Sequence, residues 1–381
     1  MQQVRLSLRT VTPAFIGTAE EKAAEWSAKG VRGQLRWWFR AVAGGELGGN
    51  LAEVRRREQA IFGSTEVRSP LRVIAAQCRV VASEREKVPG EPLDARRLSE
   101  IWGDESEAVK RRLGMPGRGT NPLGYLGYGP ILYENRELIY ARAHVAPDTP
   151  LTLTLRWSSG DSSLFRRALW CWVNLGGIGA RSRRGFGSLV DDGDAIDSAA
   201  KFRQLAFETL EEARQAKPVA AWTHFTSASR VLYSTQPFRS WELALQTAGA
   251  WMIAFRRRYG SPGDERRRAR NRDYQWLKEE PAPSGIPDRA GFGLPLPFGG
   301  GKSVVWGDGD HDTRRASPLL IHVAKFAPSQ YHLIFTHIPA QLAPDNENLS
   351  FRGRREPVTT RQMEIVSEFL DSVKRRLSEV K

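Results

Sequence analysis

Two ferredoxin-like (RRM-like) units in tandem, an α+β architecture, are what this sequence predicts. Three observations lead there. The order strand, helix, strand, strand, helix, strand is read once clearly in the first half and again, more loosely, in the second. The length of 381 residues suits two domains. A long Gly-rich basic loop separates the second helix of the first unit from its closing strand.

Val4, Leu6 and Leu8 alternate with Arg5, Ser7 and Arg9, the period of a half-buried strand. A loop with Pro13 and Gly17 follows, then a helix from about Val31 to Ala43 that Gly44-Gly45 should terminate. A shorter helix covers about Leu51 to Ile61, and Leu71 to Val81 reads as the next strand. Residues 83–121 are charged and rich in Pro and Gly, the marks of an exposed insertion. Ile131–Tyr133 with Leu138–Val145 suggest a hairpin, and Leu151–Trp157 alternates cleanly. A helix over about Ser163–Leu175 leads into GGIGARSRRGFGSL, and Phe186–Val190 should close the unit as a strand.

Ser198–Ala216 is helical in pattern and is read as a connector. Beyond it come a strand at Val231–Thr235, a helix at Ser240–Tyr259, strands at Leu319–Phe326 and His332–Ile338, and a helix at about Arg361–Leu377. Thr359 and Gln362 have capping-box spacing at its start. The expected division is a first unit at 1–195 carrying the insertion, a connector at 196–218 and a second unit at 219–381.

The chain carries a formal charge of +14, and of its 57 cations 46 are Arg. Guanidinium stays protonated and offers a planar fork of donors that fits phosphate oxygens and stacks on bases. Composition leaves two readings open, a polyanionic partner or a source that simply prefers Arg. With 40% hydrophobic residues, 12 Trp and 16 Phe, a basic disordered tail is excluded. Cys78 and Cys171, with no C-x-x-C, exclude a disulfide framework and a Cys-based zinc site and fit a reducing cytoplasm. The N-terminus alternates and lacks an apolar core of signal-peptide type, and no run approaches the ~20 apolar residues of a membrane span. A cytoplasmic protein without membrane contact is expected.

Placement of the Arg residues favours the polyanion. Leu35, Trp38, Phe39 and Val42 form one buried helical face, and Arg32, Arg36 and Arg40 form a stripe beside it, about 6 Å apart per step. The helix offers no acid at i±4 to pair with them. In the second basic element, Gly176, Gly177, Gly179, Gly185 and Gly187 surround Arg181, Arg183 and Arg184. Glycine lets backbone N–H groups approach an anion, and the Arg residues add charge. Phe186 reads as core rather than as a base-stacking ring. This is no dinucleotide fingerprint, because Ser182 holds the third glycine position and the segment follows a helix. The densest run, Asp264–Arg272, contains Arg266, Arg267 and Arg268 and is either a solvated loop or a clamp that orders on RNA.

TPAFIG, VRGQLRWWFRAVAGG, IFGS and GGIGARSRRGFGSL, with RRASPLLI at Arg314–Ile321, together resemble the RAMP superfamily of CRISPR proteins. More narrowly they are similar to the first RAMP subunit of type III-B Cmr effectors. The resemblance implies two ferredoxin-like domains and a non-nucleolytic, RNA-binding subunit at one end of a filament. It implies contact with the 3′ region of the CRISPR RNA or with target RNA, other RAMP subunits as neighbours and no small-molecule cofactor. On it, Arg181, Arg183, Arg184, Arg32, Arg36 and Arg40 are the RNA-contact candidates.

Two other functions stay open at this level: a metal-independent CRISPR endoribonuclease and a protein-only scaffold. Against the nuclease, the first helix has no His, and the loop from Thr12 to Lys29 has only Glu20, Glu21 and Glu25 as acids. His144, on an expected strand, and His224, His332 and His337 read as structural. FGGGKS at Phe298–Ser303 fails as a phosphate loop, since Leu296 stands where its first Gly is needed. GDGDHD fails as a calcium loop, with Thr313 at the obligatory glycine. No catalytic residue and no metal site are expected.

Overall fold

The computed structural model describes residues 1–18, 22–76, 79–81, 85–89, 99, 121–135, 137–217, 221–258, 285–297, 303–307, 314–345 and 347–381. Most of the 83–121 insertion, Cys78, Arg266, Arg267, Arg268, Lys302 and the GDGDHD aspartates lie outside the described residues.

In chain order the first half contains β1 (Gln2–Thr10), β2 (Ala23–Glu25), α1 (Ala28–Glu46), α2 (Leu51–Phe62), β3 (Arg72–Ala75) and β4 (Arg79–Val81). There follow α3 (Pro122–Leu126), β5 (Ile131–Glu134), β6 (Glu137–Tyr140), β7 (Pro150–Trp157), α4 (Ser162–Leu175) and β8 (Leu189–Asp191). The closing strand is thus shorter and later than the sequence suggests, because Phe186 and Gly187 belong to a turn. Likewise His144 lies between elements, not on a strand.

β3-β7-β1-β8 form an antiparallel sheet. The register Leu6↔Leu153 and Leu8↔Leu151 brings the apolar residues of both central strands to one face. That face is buried against α1 and α4 through Leu35, Phe39, Phe165 and Trp172. Two ribbons, β2-β4 and β5-β6, stand apart from this sheet.

Gly44-Gly45 do not stop the first helix, which runs on to Glu46. A Cβ on Gly44 would sit 2.5 Å from His224, and one on Gly45 would sit 2.0 Å from the carbonyl of Ala213. The pair is a notch for Ala213, Trp222 and His224, a tertiary reason that outweighs the helix-breaking tendency of glycine.

The second half contains α5 (Ala199–Leu210), β9 (Arg230–Ser234), α6 (Trp241–Arg258), β10 (Leu296–Pro297), β11 (Ser303–Trp306), β12 (Leu319–Ala327) and β13 (Gln330–His337). It ends in β14 (Leu349–Phe351), β15 (Arg354–Glu356), α7 (Thr360–Val373) and β16 (Leu377–Glu379). The capping box of Thr359 and Gln362 opens α7 as expected.

β12-β13-β9-β16 form a second antiparallel sheet, buried on both faces. Leu320, Ala324, Phe326 and Ile334 join the core of the first sheet, whereas Leu319, Ile321, Val323, Leu333 and Phe335 meet α6 and α7 in a second core. That explains the continuous apolar run of β12 and β13, where a one-sided strand would alternate. Phe202 of α5 lies 5.7 Å from Tyr233 and 6.0 Å from Phe326 on the first-core side. A third small cluster fills the β10-β11-β14-β15 sheet. Among the described residues no helix is long and apolar enough to cross a membrane.

Burial drives the imidazoles of His322 and His337, on β12 and β13, down to about 4. Each titrates near 6.5 when unfolded, so between these values the unfolded chain holds more protons and stability is lost as the pH is lowered. From pH 7 to pH 5 each site should remove about 2 kcal/mol, seen as an earlier denaturant midpoint. A midpoint constant over that range would mean that both rings find a way to charge in place.

Candidate nucleic-acid interface

The Gly/Arg loop, residues 176–188, is knotted onto the 13–16 segment. Ala180 N–H donates to Phe15 O at 2.8 Å and Gly187 N–H to Pro13 O at 2.9 Å. Gly179, Gly185 and Gly187 all have positive φ. Side chains would collide with backbone at Gly179, 2.5 Å from Phe15 O, and at Gly187, 1.9 Å from Ile178 O. The backbone donors of Gly176, Gly185 and Gly187 are used inside the fold, so they do not cradle an anion as the sequence suggested. These glycines shape the loop, and its chemistry lies in its arginines. Phe186 is fully buried, 5.4 Å from Phe15.

The loop is also stitched to β12. Ile321 N–H donates to Arg183 O at 3.1 Å, Val323 N–H to Ser188 Oγ at 3.0 Å, and His322 Nδ1–H to Gly176 O at 2.7 Å. Arg181, Arg183 and Arg184 thereby reach a cavity of about 1500 Å³ between the two halves of the chain. Its other walls are α3 with the β5-β6 hairpin, the end of α6, and the segments around 289–297 and 315–317.

Six arginines line this cavity: the loop trio, Arg256, Arg289 and Arg315. The single lining carboxylate among the described residues, Glu134, is held by Arg85 at 2.7 Å. Arg181 Nε–H donates to Tyr128 O at 2.8 Å, and Arg183 Nη1–H donates to Ser317 O at 2.6 Å. Arg183 also lies over the Trp37 ring at 4.6 Å, Arg256 lies over Tyr125 at 5.1 Å, and Arg184 Nη1 is 3.5 Å from Met252 Sδ. Among the described residues Arg181, Arg183, Arg184, Arg256 and Arg315 make no ion pair with a carboxylate.

Burial pushes Arg183, Arg184 and Arg256 down to about 10, with Arg315 and Arg184 adding repulsion at Arg183. Burial, and then Arg256, push Arg289 to about 8. A guanidinium keeps its proton at neutral pH, so the shifts of Arg183, Arg184 and Arg256 register positive charge held with little solvent and, among the described residues, no carboxylate beside it. Such a site gains from any anion that enters it.

The helix stripe has a different environment. Arg36 and Arg40 both donate to Glu58 of α2, Arg40 Nη2 at 2.7 Å, and Arg32 Nη2 donates to Leu71 O at 2.7 Å. Burial alone would raise Glu58, but the hydrogen bonds from Arg40 and Arg36 hold it below the usual carboxylate range. The acid that α1 itself lacks is supplied by its neighbour, and the stripe does not line the cavity. Sequence reasoning missed Arg256, Arg289 and Arg315, which converge from three distant segments. The readable signal was an Arg at the end of the apolar run Trp251–Phe255, and Arg315 within RRASPLLI.

The RAMP superfamily model matches residues 7–190. The chain is 32% identical over 197 residues to the CRISPR system Cmr subunit Cmr1-2 of Pyrococcus furiosus, which covers 50% of this chain and 95% of that protein. It is 27% identical over 165 residues to Cmr1-1 of the same organism, 42% of this chain and 38% of that longer relative. The crystal structure of Cmr1 from Pyrococcus furiosus in its apo form superposes with a TM-score of 0.54 at 18% identity, covering 100% of this chain and 99% of that one. Sequence and fold agree, and the chain belongs to the RAMP superfamily, the family that also contains the Cmr1 subunits.

Proposed function

We propose that this chain is a non-catalytic, RNA-holding subunit of a Cmr-type type III-B effector. It would bind CRISPR RNA or its target and sit against other RAMP subunits. The observation that carries the RNA role is the cavity lined, among the described residues, by six arginines and a single carboxylate already paired with Arg85. Phosphate is the anion that such a planar-donor surface suits. The relationship to Cmr1-2 supports the assembly. Both halves are read as ferredoxin-like units because the β3-β7-β1-β8 and β12-β13-β9-β16 sheets each run second, third, first, fourth in chain order. The non-catalytic reading is supported by His144, His224, His322, His332 and His337, all lowered by burial and none lining the cavity.

The test is titration of the full chain against labelled RNA of several sequences at stepped salt. Affinity should fall steeply with salt, with little dependence on base order and with the RNA intact. Affinity indifferent to salt would exclude the phosphate reading. Tight binding to acidic partner subunits without any for RNA would instead make the chain a scaffold.

A further inference from the structure

Tyr128 and Tyr133 are 69% and 64% exposed, and both line the arginine cavity. Single exposed aromatics are ordinary; two on the wall of one cationic cavity are a different matter. Their positions are fixed by the backbone. Tyr128 gives its carbonyl to Arg181 at 2.8 Å, and Tyr133 is in β5, paired with Leu138 of β6. The nearby Tyr125 and Tyr140 differ: Tyr125 lies under Arg256, and Tyr140 is buried against Phe15. Glu134, next to Tyr133, would repel a phosphate if it were free, and Arg85 occupies it.

Open aromatic faces beside guanidiniums that have no carboxylate partner among the described residues, Arg184 and Arg256, are the two ingredients of a single-stranded nucleic-acid site, bases stacking on rings while cations follow the backbone. A volume of about 1500 Å³ exceeds the roughly 300–1,000 Å³ of a small-molecule pocket and suits a stretch of chain. Within a duplex the base faces are consumed by neighbouring pairs, and only edges and ribose hydroxyls remain outside.

We infer that the cavity takes RNA only as an unpaired segment. One base lies on Tyr128 and one on Tyr133, with the intervening phosphates against Arg184 and Arg256. This rests on the RNA-holding reading above and adds a base-stacking selectivity that charge alone does not give.

The experiment compares the full chain's affinity for three labelled oligomers of equal length: single-stranded RNA, the same RNA as a duplex, and an abasic ribose-phosphate strand. The single strand should bind tightest, with the abasic strand weaker by about tenfold or more. Tyr128→Leu with Tyr133→Leu should lower single-strand affinity about 10- to 100-fold, close to the abasic value, and Trp at both positions should restore it. Both side chains are exposed, so the fold tolerates the changes. If the abasic strand or the duplex binds as well as the single strand, or the Leu pair binds normally, the stacking inference is overturned while the phosphate reading stands. If no oligomer binds, the RNA-holding reading itself fails, and the inference goes with it.

Discussion

Replacing Arg184 and Arg256 together by Met should weaken RNA binding by more than about a hundredfold and, at the same time, make the protein more stable. Both guanidiniums line the cavity without a carboxylate partner among the described residues, and burial lowers both to about 10. A charge held in this way costs the folded state, and replacing it with an apolar chain of similar length removes that cost, here about 1–3 kcal/mol for the pair. Arg184 already lies against Met252, so a thioether suits its surroundings. On the proposed RNA-holding role the same two charges would face phosphate, where each charged hydrogen-bonding group contributes about 1.5–3 kcal/mol. Loss of both should also reduce the salt slope by about 2. Denaturant midpoints and salt-stepped titrations measure the two effects separately. A double variant that is less stable and binds RNA normally would show that these arginines serve the fold.

Gly187→Ala should cost about 3–5 kcal/mol or leave no folded protein. The residue has φ of +67°, and a Cβ there would sit 1.9 Å from the carbonyl oxygen of Ile178. Everything it would strike is backbone already fixed, since Gly187 N–H donates to Pro13 O and Gly187 O accepts from Ile178 N–H, both at 2.9 Å. Gly353→Ala is the control. It has φ of +77° with nothing within 4 Å, so it should cost only about 1 kcal/mol. Thermal unfolding of the two variants side by side separates collision from conformation. Equal shifts would mean that the 178–187 crossing yields more readily than its hydrogen bonds imply.

The strands that face a core on one side were legible because their alternation is a local property, as in Val4–Leu8 and Leu151–Trp157. Other features were set by partners far away in sequence. Gly44-Gly45 has the local signature of a stop, but its meaning comes from Ala213 and His224. The stripe Arg36 and Arg40 looked unpaired because Glu58 belongs to another helix. For the candidate site, the Gly/Arg loop was readable as a cluster, yet half of the arginines in its cavity, Arg256, Arg289 and Arg315, arrive singly from the second half. Tyr128 and Tyr133 carried no period and no charge, so only their exposure beside the cavity distinguishes them.

The second sheet, inserted between two cores, bears on how the chain is made. The α4 and α5 surfaces that receive Leu320, Phe326 and Ile334 leave the ribosome well before those residues exist. At roughly 5–20 residues per second, synthesis from β8 to the end of β13 occupies about 7–30 s. Throughout that interval a nascent first half would present an apolar face that in the finished fold is covered by Leu320, Phe326 and Ile334. Pauses in translation, or a holdase at the exit tunnel, would therefore bear on the yield of this protein.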